Sequence, residues 1–151
     1  MIIIIDTNIV FSAVLNINST IAKLILKYDD VFDFKTSSFL KYEIEKHKFK
    51  LGKISGLNND KLNISISLIF DKIDFVDNKE IPLKNRYEGY ELCKGIDEND
   101  FLFISLNESF DNSLLWTGDK KLIYGLKNKE YDKIIETSDL IDYAQRMRNN
   151  K

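Results

Sequence analysis

The chain opens on four consecutive isoleucines, Ile2 to Ile5, followed at once by Asp6, Thr7 and Asn8. β-Branched side chains suit a pleated strand, and an unbroken apolar run suits a strand buried on both faces. Such a strand belongs at the centre of a parallel sheet with helices packed on it. Asp6 then falls at the carboxyl end of that strand, where open α/β sheets place their sites.

Later segments fit the same plan. Leu114 to Thr117 reads as a second buried strand ended by Gly118. Val31 to Lys35, Ile73 to Val76 and Ile134–Ile135 read as further strands. Between them, apolar spacing predicts helices: a short one after Asn8, one capped by Asn18 or Ser19, and one from about Ser38 through about Phe49. Gly52 and Gly56 are expected to break the chain there. Further helices are expected over 58–70, after Pro82, from Asp97 to Ser109, after Asp119, and from a Ser138 cap to about Met147. The expected fold class is α/β, a three-layer α/β/α sandwich with a mainly parallel central sheet. At 151 residues the chain fits one domain, read as 1–145, with a basic, frayed tail over 146–151.

Composition narrows the functional classes. The 22 basic and 24 acidic residues give a net charge of −2, which argues against a constitutive basic groove for nucleic acid. Bound divalent cations could still invert the local sign. The single cysteine, Cys93, excludes an internal disulfide and a cysteine-based zinc cluster, and reads as a partly buried small hydrophobe. No apolar run reaches the ~18 residues of a membrane span, and no signal peptide is read, so a cytoplasmic protein without membrane association is expected.

Five acids stand at telling positions. Asp6 and Asp119 each follow a buried strand, and each could equally be a helix cap or a metal ligand. Glu43, between Leu40 and Ile44, borders the buried face of its helix; it reads as a solvated side chain pairing with His47 or as a ligand. Asp97 and Asp100 open an apolar helix. Asp97 is the better cap, and Asp100 lies one turn in, pointing back toward the helix start. Carboxylates gathered at one sheet edge repel by about 4 kcal/mol per pair at ~4 Å and an effective dielectric of ~20. Such a group takes up protons or binds a hard divalent cation, Mg²⁺ or Mn²⁺, which can activate water and stabilise a phosphoryl transition state.

The order of Ile4-Ile5-Asp6-Thr7-Asn8, Glu43, Asp97-Glu98-Asn99-Asp100 and Trp116-Thr117-Gly118-Asp119 resembles the PIN-domain family of metal-dependent ribonucleases, whose members include VapC-like toxins. The resemblance covers nearly the whole chain. It implies that Asp6, Glu43, Asp100 and Asp119 are catalytic and hold Mg²⁺ or Mn²⁺, with Asp97 an extra ligand or only the cap. It implies that Thr7, Asn8 and Thr117 orient the acids. It also implies hydrolysis of RNA by a metal-activated water, leaving a 5′-phosphate and a 3′-hydroxyl. A cognate antitoxin and a homodimer are partners implied in the same way. Two features depart from the commoner toxin pattern: the bulky run Phe101-Leu102-Phe103-Ile104 after Asp100, and the long segment between Glu43 and Asp97.

Other residues carry alternatives. Lys120 and Lys121 could bind substrate phosphates or be solvated helix-surface lysines. Tyr87, Tyr90 and Trp116 could stack on bases or pack in a core or interface. His47, the one histidine, has no serine or cysteine placed to make a nucleophilic triad and reads as a surface or interface residue. The alternative function is a non-catalytic PIN-like module binding protein or nucleic acid without cleavage. An acyl-phosphate enzyme of the haloacid-dehalogenase type needs Asp-x-Asp after the first strand, and position 8 is Asn. A receiver domain expects paired acids at the first strand, where Asp6 stands alone.

Overall fold

A computed structural model describes residues 1–150. Five strands form one sheet: β1 (Ile2–Ile5), β2 (Asp33–Ser37), β3 (Asp74–Val76), β4 (Leu114–Trp116) and β5 (Ile134–Ile135). Their order is β3-β2-β1-β4-β5, and every pairing is parallel. β1 is therefore central, as its composition demands: Ile3, Ile4 and Ile5 are completely buried. The chain builds outward from β1 through β2 and β3, then returns to lay β4 on the other side. The β1/β4 junction is the point where the winding reverses, the usual location of a crevice in such sheets.

The helices are α1 (Thr7–Leu15), α2 (Thr20–Lys27), α3 (Phe39–Lys46), α4 (Lys48–Ser55), α5 (Asn59–Phe70), α6 (Leu83–Cys93), α7 (Phe101–Glu108), α8 (Lys120–Asn128) and α9 (Thr137–Asn149). With the parallel sheet they make the three-layer α/β/α sandwich expected of the sequence. α1 packs on α2, α3, α4 and α5, while α6 packs on α7 and α8. No single helix is long and apolar enough to cross a membrane among the described residues. Cys93 is fully buried rather than partly so.

Several boundaries differ from the sequence reading, each for a local reason. The helix expected through Phe49 is two helices, broken at His47, whose N–H returns to the Glu43 and Glu45 carbonyls. Gly52 does not break the chain; it sits inside α4, and Gly56 alone ends that helix, with φ of 71° in the left-handed region. The helix expected from Asp97 begins as a 3₁₀ turn, Glu98–Asp100, before α7. Ser138 does not cap α9: the helix starts at Thr137, whose hydroxyl accepts a hydrogen bond from the Trp116 indole at 3.0 Å. The basic tail is helical through Asn149. Arg148 donates to the Lys27 carbonyl and, at 2.9 Å, to Asp30, and its guanidinium lies 3.9 Å from the centre of the Tyr28 ring.

Two contacts set the start of α7, on which the site depends. Lys129 donates to the carbonyls of Glu91, Leu92 and Lys94 at 3.1, 2.8 and 2.7 Å, closing the end of α6 ahead of the Asp97 turn. Gly89 lets α6 and α7 approach closely: a Cβ there would lie 2.1 Å from Ser105 Oγ and 2.9 Å from the Phe101 carbonyl. Alanine is the better helix former by about 1 kcal/mol, but overpacking at a backbone contact costs about 1–3 kcal/mol and displaces the neighbour. Gly89→Ala is expected to lower Tm by several degrees in thermal unfolding. An unchanged or raised Tm would show that α6 and α7 can part freely.

Candidate metal centre

The register of the sheet decides which side chains meet. Ile5 stands opposite Trp116, so the next residues, Asp6 and Thr117, leave adjacent strands level with one another. Asp6 is 3% exposed and caps α1, accepting from Ile9 N at 2.9 Å. The Thr117 hydroxyl donates to the same carboxylate. Thr117 is itself fully buried, and its Oγ1 accepts from the Asp119 N–H at 3.1 Å. One threonine thus holds both strand-end acids. Asp119 caps α8 through Leu122 N at 3.2 Å, and Asp97 caps its turn through Asn99 N at 3.0 Å.

Asp97, Asp100 and Asp119 each offer a carboxylate oxygen, and the three lie within 4.8 Å of one another. Asp97 is therefore both a cap and a member of the cluster. Asp100 differs from the others: its side chain caps nothing and accepts no hydrogen bond among the described residues. Burial raises its pKa to about 7, helped by the facing charges of Asp97, Asp6 and Asp119. Burial likewise raises Asp6, against the Thr117 and Ile9 hydrogen bonds that favour its charged form. Asp6 lies outside the close triad, yet its charge and those of Asp100 and Asp119 act on one another.

Glu43 is not part of the triad. It lines a cleft of about 670 Å³ together with Asp100, Thr7 and Asn8, and pairs with His47 at 3.5 Å. The ring of His47 meets Phe11 edge-on, with centroids 5.8 Å apart. Of the orienting groups named from the sequence, Thr117 bonds Asp6 through its side chain, and Asn8 does so through its backbone N–H. Thr7 borders the cleft without bonding an acid among the described residues. Lys120 and Lys121 do not line the cleft, and Lys120 is engaged with Glu136 at 2.7 Å. Trp116 is wholly core, whereas Tyr87 and Tyr90 are exposed, Tyr90 standing edge-on to Phe101.

Phe39, Lys46 and Asn99 also line the cleft and were not singled out in the sequence. The signal for two of them was present: Phe39 and Lys46 lie four residues before and three after Glu43, on the same helix face. His47, read as a surface or interface residue, is the residue that ends α3 and lines the cleft.

The donor set fits a hard divalent cation. It is all carboxylate oxygen, without thiol or imidazole, and it includes a half-buried acid that accepts no hydrogen bond among the described residues. A cation held by Asp97, Asp100 and Asp119 would offset the burial and the mutual repulsion that together raise the Asp100 pKa. The model of the family described as PIN domain matches residues 4–139. No curated protein matches the chain.

Without metal, Asp100 burdens the fold above its unfolded pKa. The folded state keeps this proton up to about pH 7, whereas an unfolded carboxyl releases it near 4. Stability therefore falls as pH rises between those values. In chelator at pH 8, Asp100→Asn is expected to stabilise the protein by about 2 kcal/mol, or roughly 4–8 °C in Tm. At pH 4 the variant and wild type should melt together. Divalent cation at pH 8 should raise Tm of the wild type more than that of the variant.

Proposed function

The chain belongs to the PIN-domain family, whose members are in general metal-dependent nucleases, and on that footing we propose that it is a Mg²⁺- or Mn²⁺-dependent endoribonuclease. The observation that carries the reading is Asp100: a half-buried carboxylate with no donor, faced by three other acids. As a structural residue it serves no purpose there. Asp6, Asp97 and Asp119 each have a capping role that would explain them without chemistry; Asp100 has none.

Asp97, Asp100 and Asp119 would hold the cation, and Asp6 adds a fixed negative charge beside them, clamped by Ile9 N–H and Thr117. A bound cation supplies a more acidic water and neutralises charge gathering on a scissile phosphodiester. Burial of Asp6 and Thr117 keeps that side dry, which strengthens every interaction made there. Glu43, held by His47, borders the same cleft as Asp100 and presents its carboxylate to whatever occupies it. The rival reading, a module that binds without cutting, accounts for the three capping acids and leaves Asp100 unexplained.

The proposal extends to the toxin of a toxin–antitoxin pair, a role supported by the resemblance of the sequence motifs to VapC-like toxins. Its expected signature is growth arrest on induced expression, relieved by Asp6→Asn and by co-expression of the antitoxin.

Purified protein is expected to cleave single-stranded RNA in Mg²⁺ or Mn²⁺ and to stop in EDTA. Asp6→Asn and Asp100→Asn should each lower the rate by roughly 100-fold or more while the fold is retained. Cleavage by Asp6→Asn at the wild-type rate would refute the assignment.

A further inference from the structure

The rim of the cleft carries side chains that the acid cluster does not use. Phe39, Tyr42 and Lys46 follow one another at spacings of three and four along α3, and so share a face of that helix. Phe39 lines the cleft that holds Asp100 and is 39% exposed; Tyr42 is 60% exposed. Their ring centroids are 5.6 Å apart, with 32° between the planes. Lys46 lines the same cleft, is exposed and makes no ion pair among the described residues. Nearby cations are engaged: Lys41 lies 4.4 Å from the centre of the Phe75 ring, and Lys48 is 3.8 Å from Glu45.

A pair of exposed aromatic rings, one of them lining the cleft, on the helix face that also carries Lys46 matches the chemistry of an unpaired nucleotide. Its base offers a π-face to the rings and its phosphate an anion to the lysine. A duplex hides those π-faces in its own stack. The cleft, about 670 Å³, is of a size that admits a nucleotide-sized ligand.

We propose that Phe39 and Tyr42 form a stacking platform for an unpaired base of the RNA, with Lys46 meeting the adjoining backbone phosphate. This deepens the nuclease reading and rests on it for the identity of the ligand. Glu43 shares the helix with the platform, so stacking on α3 would bring the neighbouring phosphodiester to the side of the cleft where the acids stand.

The test uses the full chain in an Asp119→Asn background to prevent turnover, and a ten-nucleotide single-stranded RNA carrying 2-aminopurine at its centre. In Mg²⁺, binding is expected to quench the fluorescence. Phe39→Ala/Tyr42→Ala should weaken Kd roughly tenfold and abolish the quench. Tyr42→Phe, which keeps the ring, should behave as the parent. Lys46→Ala should weaken binding and reduce the salt slope by about 0.7. A duplex of the same sequence should bind at least tenfold more weakly. Circular dichroism and thermal unfolding establish that each variant is folded. Binding without quenching, or wild-type affinity in the folded double variant, would overturn the platform. If the double substitution removes the quenching in the Asp119→Asn background, yet the wild-type protein cleaves no RNA in Mg²⁺ or Mn²⁺, the platform stands and the nuclease reading fails. If cleavage is normal and KM is unchanged by the double substitution, the nuclease reading stands and the platform fails.

Discussion

The site depends on the parallel pairing of β1 with β4. With Ile5 opposite Trp116, the chain leaves both strands level, and Asp6 emerges beside Thr117. A slip of one residue would turn Asp6 to the other face and separate the two. Burial cannot fix that register by itself, because Ile3, Ile4 and Ile5 are interchangeable and all completely buried. A polar contact across the pair favours it instead: the Thr117 hydroxyl at the end of β4 donates to the Asp6 carboxylate at the end of β1. A shift would leave these buried groups without each other, at a cost of about 1–3 kcal/mol.

The same economy explains how a fold tolerates so many carboxylates in one place. Three of them work as caps, each at the positive end of a helix or turn, where a negative charge is favoured. A cap contributes about 1 kcal/mol, enough to offset part of the repulsion. Repulsion is thereby concentrated on Asp100, the one acid without such an anchor. Its pKa is raised to about 7 first by burial and then by the facing charges, so the metal-free protein keeps a proton there. Proton and cation are alternatives for the same position.

The strand-end acids were legible in the sequence because they follow from periodicity alone. An apolar run that must be a central strand places Asp6, and a second such run places Asp119. Asp97 and Asp100 were legible as a helix start, though not the 3₁₀ turn that lets Asp97 serve as cap and cluster member together. Glu43 was legible as bordering a buried face, and its pairing with His47 was readable from the i,i+4 spacing. What could not be read was whether it joins the triad, which depends on where α3 ends and how it packs. Nothing in the local pattern marks the break at His47. Ser138 misled because a serine before an apolar run is a good cap by propensity, whereas Trp116 claims Thr137 and starts the helix earlier. The pairing of Lys120 could not be read because its partner, Glu136, is distant in sequence.

That Glu43 is not one of the triad changes how the roles implied for the acids divide. The oxygens that lie within 4.8 Å of one another come from Asp97, Asp100 and Asp119, without Glu43. Glu43 instead shares its cleft with Asp100 and its helix with Phe39 and Lys46. The acids at the ends of β1 and β4 and at the start of α7 are held by the sheet and by caps, and so belong to the rigid part of the fold. α3 packs through Leu40 and Ile44 and leaves its other face to the cleft. One side of the cleft is then built to hold charge at a fixed point, and the other to present a helix face to a ligand. In the proposed nuclease, Glu43 acts on that ligand's side of the reaction, and its partner His47 determines where its carboxylate points.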